Sequence, residues 1–374
     1  MTEKPQRFID NRQNYMSFVT ATNEKWKIAQ RVERELPHLR PKPPALRLFD
    51  AGLGDGALLS YVLRAAHQRF PTIPHYVVGK EISLEDLRLC LAKFTERLAE
   101  HPATVFVLTN MFYKEAPTLN LNPGSKHDSI NWHNVALSGD TAYEFDTQVR
   151  GIDGLLVDGW KVKASEKTGN PIYEKPTVVT IYRKDHEFLL NDVIPTKGVA
   201  RSDYDLIIAS QPWRAAMPAK FKVENVLLPM VKNLGKGGRV VVAQSHGNDP
   251  ALELIREIWP EWDPFKDDRF DLMRELNNTL GDAADDYFAH GMDESEAIVR
   301  YRMHTLPNEV DSSIGTSTLF AAWNAATYVA QISENQLQSA GSLEDYLHST
   351  ESILQKRGPL WFNDETFVVS RSTT

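Results

Sequence analysis

The sequence predicts an α/β protein built on a doubly wound, mostly parallel sheet with helices on both faces. Three observations carry that prediction. Short apolar runs of strand length ("LRLFDAG", "HYVVGKE", "TVFVLTN", "YDLIIASQP", "RVVVAQSHG") alternate with longer stretches of helical periodicity. A glycine-rich turn follows the first of these runs and leads directly into a helix. The alternation stops near residue 112 and resumes at 204, which marks a long insertion within a continuing sheet.

The elements follow in order. Residues 14 to 38 carry Phe18, Trp26, Ala29, Val32 and Leu36 at helical spacing, and "PHLRPKPP" ends that helix. The spacing therefore predicts an N-terminal helical segment over 1–45. Leu46 to Phe49 reads as a buried strand and Ala57 to Ala66 as a helix, with the glycines between them. "SLEDLRLCLAKFTERLAE" is the next helix, between the second and third strands. The block 112–203 is the insertion, expected as a cap or small lobe: "TAYEFDTQVRGIDGLLVDGW" reads as helical and "PTVVTIYRKDHEFLLNDVIP" as two short strands around a polar turn. The main unit, 46–111 and 204–374, resumes with the fourth strand, the helical "FKVENVLLPMVKNL", a "GKGG" stop and the fifth strand. Beyond the helical "ALELIREIW" and a charged stretch lie candidate strands "AIVRYRMHTL" and "ETFVVSR", separated by the helical "STLFAAWNAATYVAQI".

Composition narrows the function classes. A chain of 374 residues with 42% hydrophobic and 25% charged residues is that of a soluble globular protein. No apolar run approaches the roughly 20 residues that span a bilayer, and "MTEKPQRFIDNRQNY" contains no apolar signal region, so a cytoplasmic protein without a membrane partner is expected. The net charge is -8 and there is no Lys/Arg block, which argues against a nucleic-acid partner and for a small-molecule substrate. The single cysteine, Cys90, excludes an internal disulfide and a cysteine-based zinc site. His127, His133 and His186 lack metal-ligand spacing, so no metal is expected.

The glycine turn is the strongest chemical signal. Gly52, Gly54 and Ala57 satisfy G-x-G-x-x-G/A, which keeps an NAD-dependent oxidoreductase open as an alternative. Asp50, Gly52, Gly54 and Gly56 satisfy D-x-G-x-G-x-G, and in that form the turn resembles motif I of the class I S-adenosylmethionine-dependent methyltransferases. The resemblance covers roughly 46–112 and 204–247, and its specificity lies in an ordered set of matches. It implies a Rossmann-like, seven-stranded sheet with S-adenosylmethionine as cofactor. Glu81, closing the second strand, falls where the family places the acid that binds the ribose hydroxyls. Asn110, with Met111 beside it, falls where family members often have an acid near the adenine amine, so this position departs from the pattern while an amide can still bond a base edge. A non-catalytic cofactor-binding subunit is a third reading.

Methyl transfer from a sulfonium mainly requires positioning and, where needed, removal of a proton. Ligands in such sheets lie outside the carboxyl ends of the strands, which directs attention to "SQPW" at 210–213 and "QSHGND" at 244–249. "SQPW" resembles the [D/N/S]-P-P-[Y/F/W] signature of methyltransferases that act on planar nitrogens, with Gln211 in place of a proline. The resemblance gives Ser210 and Gln211 the role of accepting hydrogen bonds from the target nitrogen, and Trp213 that of stacking on the acceptor. His246 is the candidate base because its ordinary pKa lies near neutrality. The plain alternative makes His246 a loop residue ahead of a helix capped by Asp249 with Pro250 at its first position.

Overall fold

The computed structural model describes residues 12–123, 125–165, 171–199, 202–304, 314–339 and 343–373. The start of the N-terminal segment, including most of the opening read above for a signal region, and the last two residues of the run predicted as a strand at 297–306 lie outside them.

Twelve strands are present among the described residues: β1 (Leu46–Asp50), β2 (His75–Lys80), β3 (Thr104–Thr109), β4 (Asn131–Leu137), β5 (Val162–Ala164), β6 (Pro171–Tyr173), β7 (Thr177–Arg183), β8 (Tyr204–Ser210), β9 (Leu234–Ser245), β10 (Tyr287–His290), β11 (Ile298–Arg302) and β12 (Trp361–Arg371). Ten of them form one sheet in the order β10-β12-β9-β8-β1-β2-β3-β7-β4, with β11 also paired to β12. The strands β9, β8, β1, β2 and β3 run parallel, and β12 lies antiparallel beside β9. This is the mostly parallel, doubly wound sheet the sequence predicts. The central strands read as unbroken apolar runs because both of their faces are covered. On one face Leu46, Leu48, Ile208, Val241 and Val368 pack against the helices Glu24–Glu33, Ala57–Arg69 and Leu84–Glu100. On the other, Phe49, Val78, Val107, Ile207, Val242 and Phe367 pack against the segments 219–231 and Arg269–Leu280.

Four expectations are corrected. The insertion does not stand off as a separate lobe, because its β7 pairs antiparallel with β3, register Val105↔Tyr182, and β4 pairs parallel with β7. It thereby widens the sheet past seven strands and covers an edge of β3 that would otherwise expose unpaired amides. The second strand expected within 176–195 is a short helix, Glu187–Leu190. The N-terminal helix is two helices, Arg12–Ala21 and Glu24–Glu33, broken because Asn23 leaves the helix to exchange bonds with Arg302 at the end of β11 (3.1 and 2.8 Å). That break places Glu24 and Lys25 in the first turn of the second helix. The sixth strand is likewise in two pieces, β10 and β11, both paired to β12 and separated by the turn of helix Glu294–Ala297.

Candidate functional site

The carboxyl ends of β1, β2, β8 and β9 meet the start of β12 at one edge of the sheet. The chain turns after β1 with Gly54 at φ +53° and Gly56 at φ +75°, conformations that favour glycine. A Cβ on Gly56 would lie 2.7 to 2.9 Å from Cys90 Sγ, Cβ and Cα, so this glycine sets the approach of two helices. A Cβ on Gly54 would meet the Tyr15 hydroxyl at 2.6 Å, which puts the first N-terminal helix directly over the loop. Beside Gly52 the nearest atom is the Ser210 carbonyl oxygen, at 3.6 Å.

Two acids hold this turn. Asp50 is fully buried; its Oδ1 accepts the Gly52 N–H at 3.0 Å and its Oδ2 has no partner. Burial pushes its pKa up to about 7, with the Gly52 amide and Lys25 opposing and the Glu81 charge assisting. Glu81 Oε2 accepts the Gly54 N–H at 2.8 Å, while Oε1 accepts those of Ile82 and Ser83 at 2.7 and 2.8 Å. The insertion reaches the same point, since the Trp160 ring N–H donates to the Glu81 carbonyl at 2.8 Å.

The remaining sequence-predicted residues separate by environment. The Asn110 amide donates to the carbonyls of Gly159 and Lys175, both at 2.9 Å, and accepts from the Thr177 N–H at 2.8 Å. Instead of facing a base edge, it clamps the insertion to the end of β3. Met111 beside it is fully buried in the core. Trp213, expected to stack on a ligand, is only 8% exposed and packs in the core with its ring N–H donating to Gln244 Oε1 at 3.0 Å. The turn before it is anchored by the Tyr113 hydroxyl, which donates to the Pro212 carbonyl at 2.9 Å.

Ser210 is buried with its hydroxyl unpartnered. Gln211 adopts φ +49° and accepts the Ser245 N–H at 3.2 Å. For a residue with a Cβ this conformation costs about 1 kcal/mol or more, and it is held by the Gln211 N–H donating to the Ala243 carbonyl at 2.8 Å and by the side-chain bond from Ser245. His246 is half-buried, and its Nδ1 lies 3.7 Å from Glu365 Oε2, a carboxylate also 3.4 Å from Arg269 and bonded by Gln244 at 2.7 Å. Strand alternation puts Glu365 and Gln244 on one face, and Ser210, Ser245 and Asp364 on the other. The structure therefore brings Ser210 and Gln211 together and sets His246 apart from them. Asp249 caps the helix Pro250–Ile258 through the Leu252 N–H at 2.8 Å, with Pro250 at its first position, as the plain alternative expects.

Sequence reasoning missed Asp364, Glu24 and Lys25. Asp364 is fully buried beside Ser245; the Tyr301 hydroxyl lies 3.4 Å from its Oδ1, the Gln211 amide is directed at its carboxyl, and its Oδ2 has no partner. Burial and the nearby Glu24 charge raise its pKa well above the carboxylate range. Glu24 is buried and forms an ion pair with Lys25 at 3.0 Å. Burial alone would lower the Lys25 pKa, but Glu24, Tyr15 and Tyr328 hold it above its ordinary value. The available signal was the run "FNDETF", in which acids interrupt an apolar strand; the predicted strand began one residue too late to include Asp364.

The chain is similar to several solved structures of methyltransferases. A geranyl diphosphate methyltransferase in complex with GPP and sinefungin shares 11% identity, over 91% of this chain and 78% of that one, with a TM-score of 0.31. A putative sarcosine dimethylglycine methyltransferase from Galdieria sulphuraria shares 10% over 93% and 86%, also at 0.31. A phosphoethanolamine N-methyltransferase 2 from Haemonchus contortus shares 9% over 93% of this chain and 53% of that one, at 0.29. No family model and no curated protein matches the sequence. Among the described residues no helix is long and apolar enough to cross a membrane.

Proposed function

We propose that the chain transfers a methyl group from S-adenosylmethionine to a small-molecule acceptor, with a nitrogen as the acceptor atom. The observation that carries this reading is the glycine turn held between two acids, with Glu81 bonded to the Gly54 amide and Asp50 keeping one buried oxygen unpartnered. A buried acceptor without a partner costs about 1 to 3 kcal/mol, and a donor-bearing ligand at this edge removes that cost. The Ser210 hydroxyl is in the same condition. When bound, the cofactor supplies a methyl group on a positively charged sulfur.

The residues here suit that group. Gly52 and Gly54 leave the backbone of the turn bare, with the Ser210 carbonyl beside the first and the Tyr15 hydroxyl over the second. Asp50, Glu81 and Glu24 make the edge electronegative, which favours a sulfonium over a neutral thioether. Ser210 and Gln211, at the tip of β8, are the proposed orienting groups for the acceptor. His246 is not assigned the base role, because its imidazole turns to Glu365 and Arg269. Trp160, through its bond to the Glu81 carbonyl, makes the insertion part of the enclosure.

Calorimetry with S-adenosylmethionine, S-adenosylhomocysteine and NAD tests the cofactor, and transfer of a labelled methyl group into a metabolite extract tests the activity. Binding of the first two without NAD, with label appearing on a small nitrogenous product, is the expected result. NAD binding alone would replace this reading with hydride transfer, and cofactor binding without turnover would make the chain a binding subunit.

A further inference from the structure

Strand register places Asp50, Ser210, Ser245 and Asp364 on one face of the sheet, along the edge where the carboxyl ends of β1, β8 and β9 meet the start of β12. The helix beginning at Glu24 packs over that same face. Asp50 Oδ2, Ser210 Oγ and Asp364 Oδ2 are buried there without hydrogen-bond partners. Against the carboxyls of Glu24, Asp50 and Asp364, the cation acting on both Asp50 and Asp364 is that of Lys25. One ammonium thus serves three carboxyls, and the cofactor, with its sulfonium, ammonium and carboxylate, would add a single net positive charge. With all three carboxyls ionised one charge is left uncompensated, so this edge either keeps a proton or takes a second cation.

The walls around the far end are aromatic. Tyr301 lies against Asp364 and stacks on Phe362 with ring centroids 5.2 Å apart, and Phe18 meets both edge-on at 6.0 and 5.8 Å. Tyr328 lies 5.0 Å from Phe18 and 5.6 Å from Tyr15. Carboxylates within an aromatic wall attract an ammonium through charge and through the ring faces. The chain's own Lys25 ammonium, held by Glu24 in the field of Tyr15 and Tyr328, shows that the surroundings accommodate one. Among the described residues no three His, Cys, Asp or Glu side chains are placed to hold a metal ion.

We propose that Asp364, with Glu24 and Ser210, forms the acceptor subsite, and that the acceptor is an amine which arrives as its ammonium ion. This deepens the methyl-transfer reading and rests on it for the reaction. Entry of the ammonium ionises the buried Asp364 carboxyl, whose own proton leaves to solvent, and the carboxylate then takes a proton from the nitrogen and frees its lone pair. The new N–C bond forms as the methyl–sulfur bond breaks, and the electron pair of that bond stays on sulfur, which becomes a neutral thioether. The nitrogen keeps one positive charge, and the proton on Asp364 leaves to solvent with the product. A carboxyl whose pKa burial has raised holds that proton more readily than an exposed one does.

The test uses two probes of similar shape, tetramethylammonium chloride and tert-butanol, titrated into the full chain saturated with S-adenosylhomocysteine and followed by saturation-transfer NMR. The cation is expected to bind at least tenfold tighter. Asp364→Asn, which keeps the side-chain shape, should erase most of that preference while S-adenosylhomocysteine affinity stays within about twofold, and Glu24→Gln should reduce it. Equal binding of the two probes by the wild-type chain, or an unchanged preference in Asp364→Asn, overturns the subsite. The wild-type comparison decides even if the variant does not fold. Should S-adenosylhomocysteine fail to bind, the methyl-transfer reading falls, and the same pair of probes on the ligand-free chain still decides the cation subsite.

Discussion

Asp50→Asn should make the protein more stable at pH 8 and change the pH dependence of its stability. The carboxyl is fully buried and its pKa is pushed from 3.8 to about 7. Above pH 7 its ionisation therefore costs the folded state about 4 kcal/mol, at 1.36 kcal/mol per pH unit. The sign follows from proton uptake: between pH 4 and 7 the folded state holds a proton that the unfolded chain has lost, so this group's contribution falls as pH rises through that window. Asparagine keeps the oxygen that accepts the Gly52 amide and replaces the unpartnered Oδ2 with an amide nitrogen, at a cost of about 1 to 3 kcal/mol. The variant should then exceed the wild type by about 1 to 3 kcal/mol at pH 8. At pH 5 the wild-type penalty shrinks to about 1.5 kcal/mol and the two should differ by no more than about 1.5 kcal/mol, with the wild type equal or ahead. Urea denaturation of both proteins at the two pH values measures this directly. Equal pH slopes, or a variant less stable than the wild type at pH 8, would refute the reasoning about the buried carboxyl.

Other consequences are checked by similar means. Glu81→Gln replaces one oxygen of a carboxylate that accepts three backbone amides, so it should cost about 1.5 to 3 kcal/mol in chemical denaturation and loosen S-adenosylhomocysteine binding in calorimetry. Gly54→Ala should be destabilised by its contact with the Tyr15 hydroxyl, and Tyr15→Phe should recover part of the loss; additive effects in that double-mutant cycle would contradict the contact. His75 and His101 stack at 3.8 Å in the core, where burial lowers both pKa values, so stability should be full above about pH 6.5 and fall as pH drops below it, less steeply in His75→Gln. Hydrogen exchange at Trp160 and its neighbours should slow when S-adenosylhomocysteine binds, because the Trp160 ring is tied to the Glu81 carbonyl.

The parallel core was legible because its strands are covered on both faces and so appear as continuous apolar runs with glycine or polar punctuation. The glycine turn and the acids at 50 and 81 were legible for a related reason: few local sequences place those residue types at a strand end. The roles of Asn110 and Trp213 were not, since each depends on partners far along the chain, Thr177 and Gly159 for one and Gln244 for the other. The insertion was misjudged because an edge strand with one face partly exposed, such as "NWHNVAL", carries a weaker pattern than a central one. Asp364 escaped notice because its significance comes from Glu24, which is distant in sequence and reaches it only through a helix break set by Asn23 and Arg302.

The position of β12 has a consequence for synthesis. It follows every other described strand in chain order, yet it lies inside the sheet, paired with β9 on one side and with β10 and β11 on the other. While the preceding residues emerge, β9 offers an open edge and β10 and β11 have no neighbour to align them. The nascent chain is then most exposed to pairing with other chains, and Asp364 reaches the site only when that gap closes. Completion of the acidic edge is in this way a late event of folding.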